Sequence, residues 1–239
     1  MNETHIMLVG AGGIGGHLVR MLDCPEVTRV TVVDGDDVER GNVGRQQQFS
    51  PGDVGRNKAE AVCRRRRNWG HVPEFLTPEL FTSLLNEHVP ECVLLAVDNH
   101  QARAVVLDGV DDLFRERRTL LPVVSGANEE RSFSAWIYHP AFHGADRDPR
   151  VRWPEINVNN VNGSPFEPSC SERLGQPQSG QTVFANMGAA TAAWSLVQAY
   201  ILSRLAWDAE FPELPVSWSH TGCPARWQSE IYNRESEVM

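Results

Sequence analysis

The first informative pattern in the chain is His5–Val9 (HIMLV), a short apolar run that stops abruptly at Gly10. An uninterrupted apolar stretch of this length, bounded by glycine, predicts a parallel strand buried on both faces. Gly10-Ala-Gly12-Gly13-Ile-Gly15-Gly follows, and His17–Leu22 has helical character. A second, β-branched run, Arg29–Val33, ends on Asp34. Strand, glycine loop, helix and strand span about thirty residues, the size of a mononucleotide-binding half.

The alternation continues downstream. Lys58–Arg67 reads as a helix, Glu91–Val97 as a third buried strand ending on Asp98, and Gln101–Val106 as the start of another helix. Leu120–Ser125 is a further strand, and the alternating Arg131–His139 suits an antiparallel neighbour. From about His143 to Pro177 the chain turns rich in Pro, Asn and Gly, which predicts a crossover loop or a small lobe near 143–177. Asn186–Ala206 resumes as a helix rich in small residues, and Pro215–Ser219 suits a last strand. The expected fold is α/β and Rossmann-like: a mostly parallel sheet with helices on both faces. We expect a single domain over 1–239, with a nucleotide-binding core at 5–139 and a C-terminal helix and strand at 183–239.

Composition narrows the function. With 239 residues, 41% of them hydrophobic and 22% charged, the chain can bury a substantial core. Its net charge of −9 opposes nucleic acid and anionic membranes as partners, since phosphate surfaces demand a basic face. No apolar run reaches the roughly 18–20 residues that cross a bilayer. Met1–Thr4 is polar and unlike a signal peptide, so the expected compartment is the cytoplasm. The local exception in charge, Arg64–Arg67, reads either as a solvated helix face or as a docking patch for an acidic partner. The five cysteines are scattered, with no CxxC pair, so neither a structural zinc nor a disulfide framework is expected. The histidines form no metal pattern, and the Trp residues suit packing.

The chemistry is concentrated near the N-terminus. Gly10 suits the tight turn, Gly12 and its neighbour Gly13 let a phosphate approach the backbone, and Gly15 lets helix pack on strand. Phosphates would then face the unpaired N–H groups of a helix N-terminus. Asp34, 19 residues after Gly15, ends the second strand, where a carboxylate can accept hydrogen bonds from a ribose. So far an NAD-dependent dehydrogenase fits equally. It has no need, however, of the polar series that follows: Asp36, Asn42, Arg45 and Gln46, then Lys58. An enzyme that adenylates a carboxylate does, because it must neutralise a triphosphate as pyrophosphate leaves. Arginine forks across phosphate oxygens and lysine adds a compact charge. Asp98, at a strand's carboxyl end, suits Mg²⁺ beside those phosphates, or else a helix cap.

GAGGIGG (10–16), TVVDGDDVERGNVGRQ (31–46), VGRNKAEAV (54–62), VLLAVDN (93–99) and PVVSGA (122–127) resemble the ThiF/MoeB family, relatives of the ubiquitin-activating enzymes. The stretches keep the family's order across roughly residues 5–139. The resemblance implies that Asp34 binds ribose, that Asn42, Arg45 and Lys58 contact phosphates, and that Asp98 binds magnesium. A closer resemblance, through residues 41–59 and the Pro168–Ser171 segment, is to the ThiF-like proteins of PRTRC cassettes. It implies ATP and Mg²⁺ as cofactors and, as substrate, the C-terminal carboxylate of a small ubiquitin-like β-grasp protein or peptide. The ThiF/MoeB resemblance also implies a homodimer.

Three departures from the family stand out. With the first strand expected from residue 5, the family's N-terminal arginine has no counterpart ahead of it, and Arg56 or a partner is expected to stand in; the paired-cysteine zinc site has no match, and no cysteine lies at Gln178–Thr182 where the transfer thiol is usual. Cys170 is the nearest candidate for a thioester step, with His139 and His143 ahead of it and Arg173 able to favour a thiolate, or else it is an unreactive cysteine. These departures keep a second expectation open, a non-catalytic ATP-binding scaffold or sensor.

Overall fold

A computed structural model describes residues 4–128, 133–140, 148–157, 183–206, 217–223 and 226–232. Its strands are β1 (His5–Val9), β2 (Arg29–Val33), β3 (Trp69–Val72), β4 (Cys92–Leu95), β5 (Val123–Asn128), β6 (Phe133–Tyr138), β7 (Ser217–Cys223) and β8 (Arg226–Tyr232). They form one sheet in the order β3-β2-β1-β4-β5-β6-β7-β8. The first five are parallel neighbours, and β6, β7 and β8 join antiparallel.

Side chains along β1 alternate between two cores, as the two-residue period of a strand demands. Ile6 and Leu8 enter one with Leu18, Val19 and Leu22 of α1 (Gly13–Leu22), Val62 of α3 (Lys58–Cys63), and the alanines of α7 (Val183–Ala206). Met7 and Val9 enter the other with Phe81 and Leu85 of α4 (Pro78–Glu87) and Val106, Leu107 and Val110 of α5 (His100–Arg117). Both faces of β1 are therefore dry, which is why the strand reads as an unbroken apolar run. A short helix, α6 (Pro149–Arg152), and the 3-10 turn Pro154–Asn157 are tied to α5, with Arg150 paired to Asp108 at 2.6 Å and to Asp111 at 2.5 Å.

Several boundaries differ from the sequence expectation. Helix α1 starts at Gly13 rather than His17, because the glycine loop runs straight into the helix. Helix α3 stops at Cys63 and does not run on through Arg67. Four adjacent guanidiniums oppose another turn, and Asn68 reverses the chain in the left-handed region at φ 64°. Arg64 turns onto Asp53 and Arg66 onto Asp23, with the Arg66 guanidinium stacked over Trp69, so half of the arginine run serves internal contacts. Strand β3 and helix α4 were not expected at all, and Leu94's strand is fourth in chain order rather than third. The second helix in chain order, α2 (Arg40–Val43), is a single turn.

From β1 the strand order runs outward to β2 and β3 on one side and to β4 and β5 on the other. Connections leave β1 and β4 in opposite directions, so a crevice opens beyond their carboxyl ends. Open α/β sheets bind ligands at such a switch point.

Candidate active site

Gly10 leaves β1 at φ 94°, and a Cβ there would lie 2.6 Å from the carbonyl oxygen of Ala96, just past β4. Only glycine lets the two strand exits pass this closely. The next residues, Ala11 and Gly12, turn the chain into α1. Gly15 packs on Gly10, where an added Cβ would meet its carbonyl oxygen at 2.1 Å. Close backbone approach thus requires glycine at 10 and 15, whereas a Cβ on Gly12 would meet nothing within 4 Å.

Asp34, at the end of β2, reaches back across this turn. Its Oδ2 accepts from the Ala11 N–H at 2.6 Å and its Oδ1 from the Asp36 N–H at 2.9 Å. Burial pushes its carboxyl above the usual carboxylate range, opposed by the positive charge of Lys58 and by the two N–H donors. The carboxyl is thus fixed beside the glycine loop.

The Asp34–Val38 segment is clipped to the start of α3. Asn57 donates through Nδ2 to the carbonyls of Asp34 (2.9 Å) and Asp36 (3.1 Å), while its Oδ1 caps α3 by accepting from Ala59 and Glu60. That clip delivers Lys58, whose ammonium meets Asp36 Oδ2 at 2.7 Å. Asn57 stands in the polar series without an expected role of its own, and its place directly before a helix is the capping signal.

Asn42 is buried and its Oδ1 accepts from the Glu39 N–H at 2.9 Å, closing the reciprocal cap of α2. Gln46 is also buried, held through its N–H to the Asn42 carbonyl, and its Oε1 meets no donor among the described residues. Arg45 is exposed and forms no ion pair among the described residues. Asp98 is exposed too. The cap of α5 is its neighbour Asn99, which accepts from the Ala102 N–H at 2.8 Å, so the capping alternative for Asp98 is removed. A carboxylate beyond β4, with no partner among the described residues, could take a hard cation.

On the other side of the loop lies α7. Asn186 is buried with its amide against Gly13, where an added Cβ would meet Nδ2 at 2.6 Å, and its Oδ1 accepts from Asn128 at 2.8 Å. Gln48 lies on the opposite flank and donates to the carbonyls of Ala11 (2.8 Å) and Gly12 (3.0 Å). Neither contact was visible in the sequence, since each depends on how distant segments meet. Among the described cysteines, burial pushes the Cys63 thiol up to about 11 and that of Cys92 up to about 12, which suits packing and not nucleophilic roles. Cys170, His143, Arg173 and most of the 143–177 segment lie outside the described residues. Among the described residues no helix is long and apolar enough to cross a membrane.

The sheet order and its glycine turn define the class, a Rossmann-like α/β fold with a crevice at the β1/β4 switch point. The chain belongs to the ThiF family, whose profile matches residues 1–127. It is 30% identical over 151 residues to a sulfur carrier protein adenylyltransferase of Thermus thermophilus, covering 60% of this chain and 53% of that one. It is 26% identical over 113 residues to a tRNA threonylcarbamoyladenosine dehydratase of Haemophilus influenzae, covering 45% and 43%. The chain therefore spans about half the length of these curated relatives. In fold it resembles E. coli MccB solved with ATP, at a TM-score of 0.63 and 18% identity, covering 98% of this chain and 65% of that one. The same enzyme solved with N-formylated MccA gives 0.64 and 18%, over 98% and 66%.

Proposed function

We propose that this chain is an ATP-dependent adenylyltransferase that activates a carboxylate as its acyl-adenylate. What supports the proposal is the glycine loop that heads α1 at the β1/β4 switch point, with Gly10 packed on Ala96 and Val97 just ahead of Asp98, whose neighbour Asn99 makes the α5 cap. Asp34 would hold the ribose. The substrate carboxylate attacks the α-phosphorus, its new P–O bond replacing the one to the leaving pyrophosphate. Arg45 and Lys58, with Asn42 and Gln46 shaping the loop between them, would balance the charge that builds up on the phosphate oxygens. Asp98 is suited to Mg²⁺, which when bound supplies charge neutralisation at the phosphates.

For the acceptor, the favoured reading is the C-terminal carboxylate of a small ubiquitin-like protein or peptide. The relative named as a sulfur carrier protein adenylyltransferase and the fold neighbour solved with MccA support it. The relative named for tRNA points elsewhere, but a net charge of −9 disfavours a nucleic-acid substrate. A cytoplasmic homodimer completes the reading.

The test is magnesium-dependent exchange of labelled pyrophosphate into ATP, stimulated by candidate small proteins ending in a free carboxylate. Exchange that persists undiminished in the Arg45→Ala, Asp98→Ala double variant would defeat the site assignment. Nucleotide binding without exchange, with any acceptor, would replace the enzyme by a nucleotide-binding scaffold.

A further inference from the structure

Gln48 holds the glycine loop by its carbonyls. Its Nε2 donates to Ala11 O at 2.8 Å and to Gly12 O at 3.0 Å, two consecutive peptide oxygens. In a trans peptide the C=O and the following N–H point in opposite directions. Fixing Ala11 O therefore fixes the Gly12 N–H, while Gly12 O, which also accepts from the Gly16 N–H at 2.9 Å, fixes the Gly13 N–H jointly with Gln48. The preceding N–H, that of Ala11, is already taken by Asp34 Oδ2 at 2.6 Å. The Gly13 N–H heads α1, where the first four N–H groups have no intrahelical acceptor. The loop thus divides its donors, one for Asp34 and two turned away from Gln48.

Room for the glutamine depends on one glycine. Gly16 lies under the amide, and a Cβ there would stand 2.0 Å from Gln48 Oε1 and 2.4 Å from Nε2. Gly16 is buried within α1, where a helix would be favoured by alanine at no cost in backbone strain. Its presence is explained by the amide it accommodates.

We propose that Gln48 is a positioning residue for the nucleotide phosphates, aiming the Gly12 and Gly13 N–H groups into the crevice. The inference rests on the nucleotide site proposed above, and not on the identity of the carboxylate acceptor. Its physical content is preorganisation. An unheld loop could present carbonyl oxygens to the phosphates, which would repel them, and turning the peptides over on binding would weaken affinity. The effect falls on phosphate and not on the nucleoside, because Asp34 is held from the other side of the turn.

Binding of ATP and of adenosine to the full chain, measured by calorimetry with Mg²⁺ present, separates the possibilities. Gln48→Met keeps the length of the side chain and removes the donor. It is expected to bind ATP roughly 10- to 100-fold more weakly, the cost of misdirecting one or two charge-assisted hydrogen bonds, while adenosine affinity stays within about twofold. Gly16→Ala, which displaces the amide without touching residue 48, is expected to do the same, and Gln48→Glu to weaken ATP further by repulsion. Unchanged ATP affinity in both Gln48→Met and Gly16→Ala overturns the proposal. So does an equal loss for ATP and adenosine, which is the mark of a merely structural role, and so does a wild type that does not prefer ATP to adenosine. A wild type that binds ATP yet shows no pyrophosphate exchange would refute adenylation and leave the Gln48 result standing.

Discussion

Lys58 and Asp36 form an ion pair of 2.7 Å whose partners sit in different media: the lysine side chain is 10% exposed, the aspartate 53%. The buried ammonium leans on a carboxylate that water can reach, so a phosphate arriving at the crevice competes for it on favourable terms. Lys58→Met keeps the buried stem and removes the charge. It is expected to cut pyrophosphate exchange by roughly 10²- to 10³-fold with little change in melting temperature. Asp36→Asn strands the cation and is expected to lower the melting temperature of the free protein, yet to enlarge the rise produced by ATP, which restores a partner. An ATP-induced shift equal to that of the wild type would show that Lys58 does not change partners.

Arg45 and Asp98 are both exposed, and neither forms an ion pair among the described residues. Truncating such residues disturbs stability by about 0.5 kcal/mol or less. Arg45→Ala and Asp98→Ala are therefore expected to melt like the wild type while exchange falls by at least about 100-fold each, and the Asp98 variant to lose its response to magnesium. A drop in melting temperature matching the loss of exchange would mean that these residues serve the fold.

The parallel half of the sheet was legible because β1, β2, β4 and β5 are packed on both faces, so that nearly every residue of His5–Val9 is apolar and the run has sharp ends. Strand β3 sits at the sheet edge and consists of Trp69, Gly70, His71 and Val72, only partly covered, which leaves no apolar run to recognise. Helix α4 carries Phe81 and Leu85 inward with Leu84 packed beside them, and Leu80, Phe81, Leu84 and Leu85 recur at helical spacing. Thr77 before Pro78 marks its start, the Thr77 hydroxyl accepting from the Leu80 N–H at 3.2 Å, so this element was legible in its residues. The site divides in the same way. Gly10, Asp34 and Lys58 announce themselves by position relative to strands and helices, whereas Gln48 and Asn186 acquire their roles only when residues 37 and 173 positions away in sequence meet Ala11 and Gly13.

Gly10→Ala tests the crossing of the two strand exits. At φ 94° an L-residue is strained, and its Cβ would press on Ala96 O at 2.6 Å, between two backbones that cannot move aside singly. A loss of roughly 2–3 kcal/mol in unfolding free energy is expected from chemical denaturation, with ATP affinity lost alongside. Retained stability would mean that β1 and β4 can separate at their carboxyl ends without cost.

His5 gives the fold a pH dependence remote from the crevice. Its ring is buried at the start of β1, its Nε2 is 2.9 Å from the Thr31 hydroxyl, and the His88 ring lies 4.8 Å away. Burial, and then the charges of Arg29 and His88, push its pKa down to about 4. An unfolded histidine titrates near ~6.5. Between these values the unfolded chain binds the extra proton, so stability is full above about pH 6.5 and is lost as pH falls toward 4. Asp34 acts in the opposite direction, since burial raises its folded pKa and stability from it is lost as pH rises through that value. Asp53, held low by its hydrogen bond to Ser50 and by Arg64, loses its contribution only in more acidic solution. The histidine's share is isolated by difference: melting followed from pH 7.5 to 4.5 should fall more steeply for the wild type than for His5→Gln, by a few kcal/mol over the window. Parallel profiles for the two proteins would show that His5 takes up its proton without disturbing the folded state.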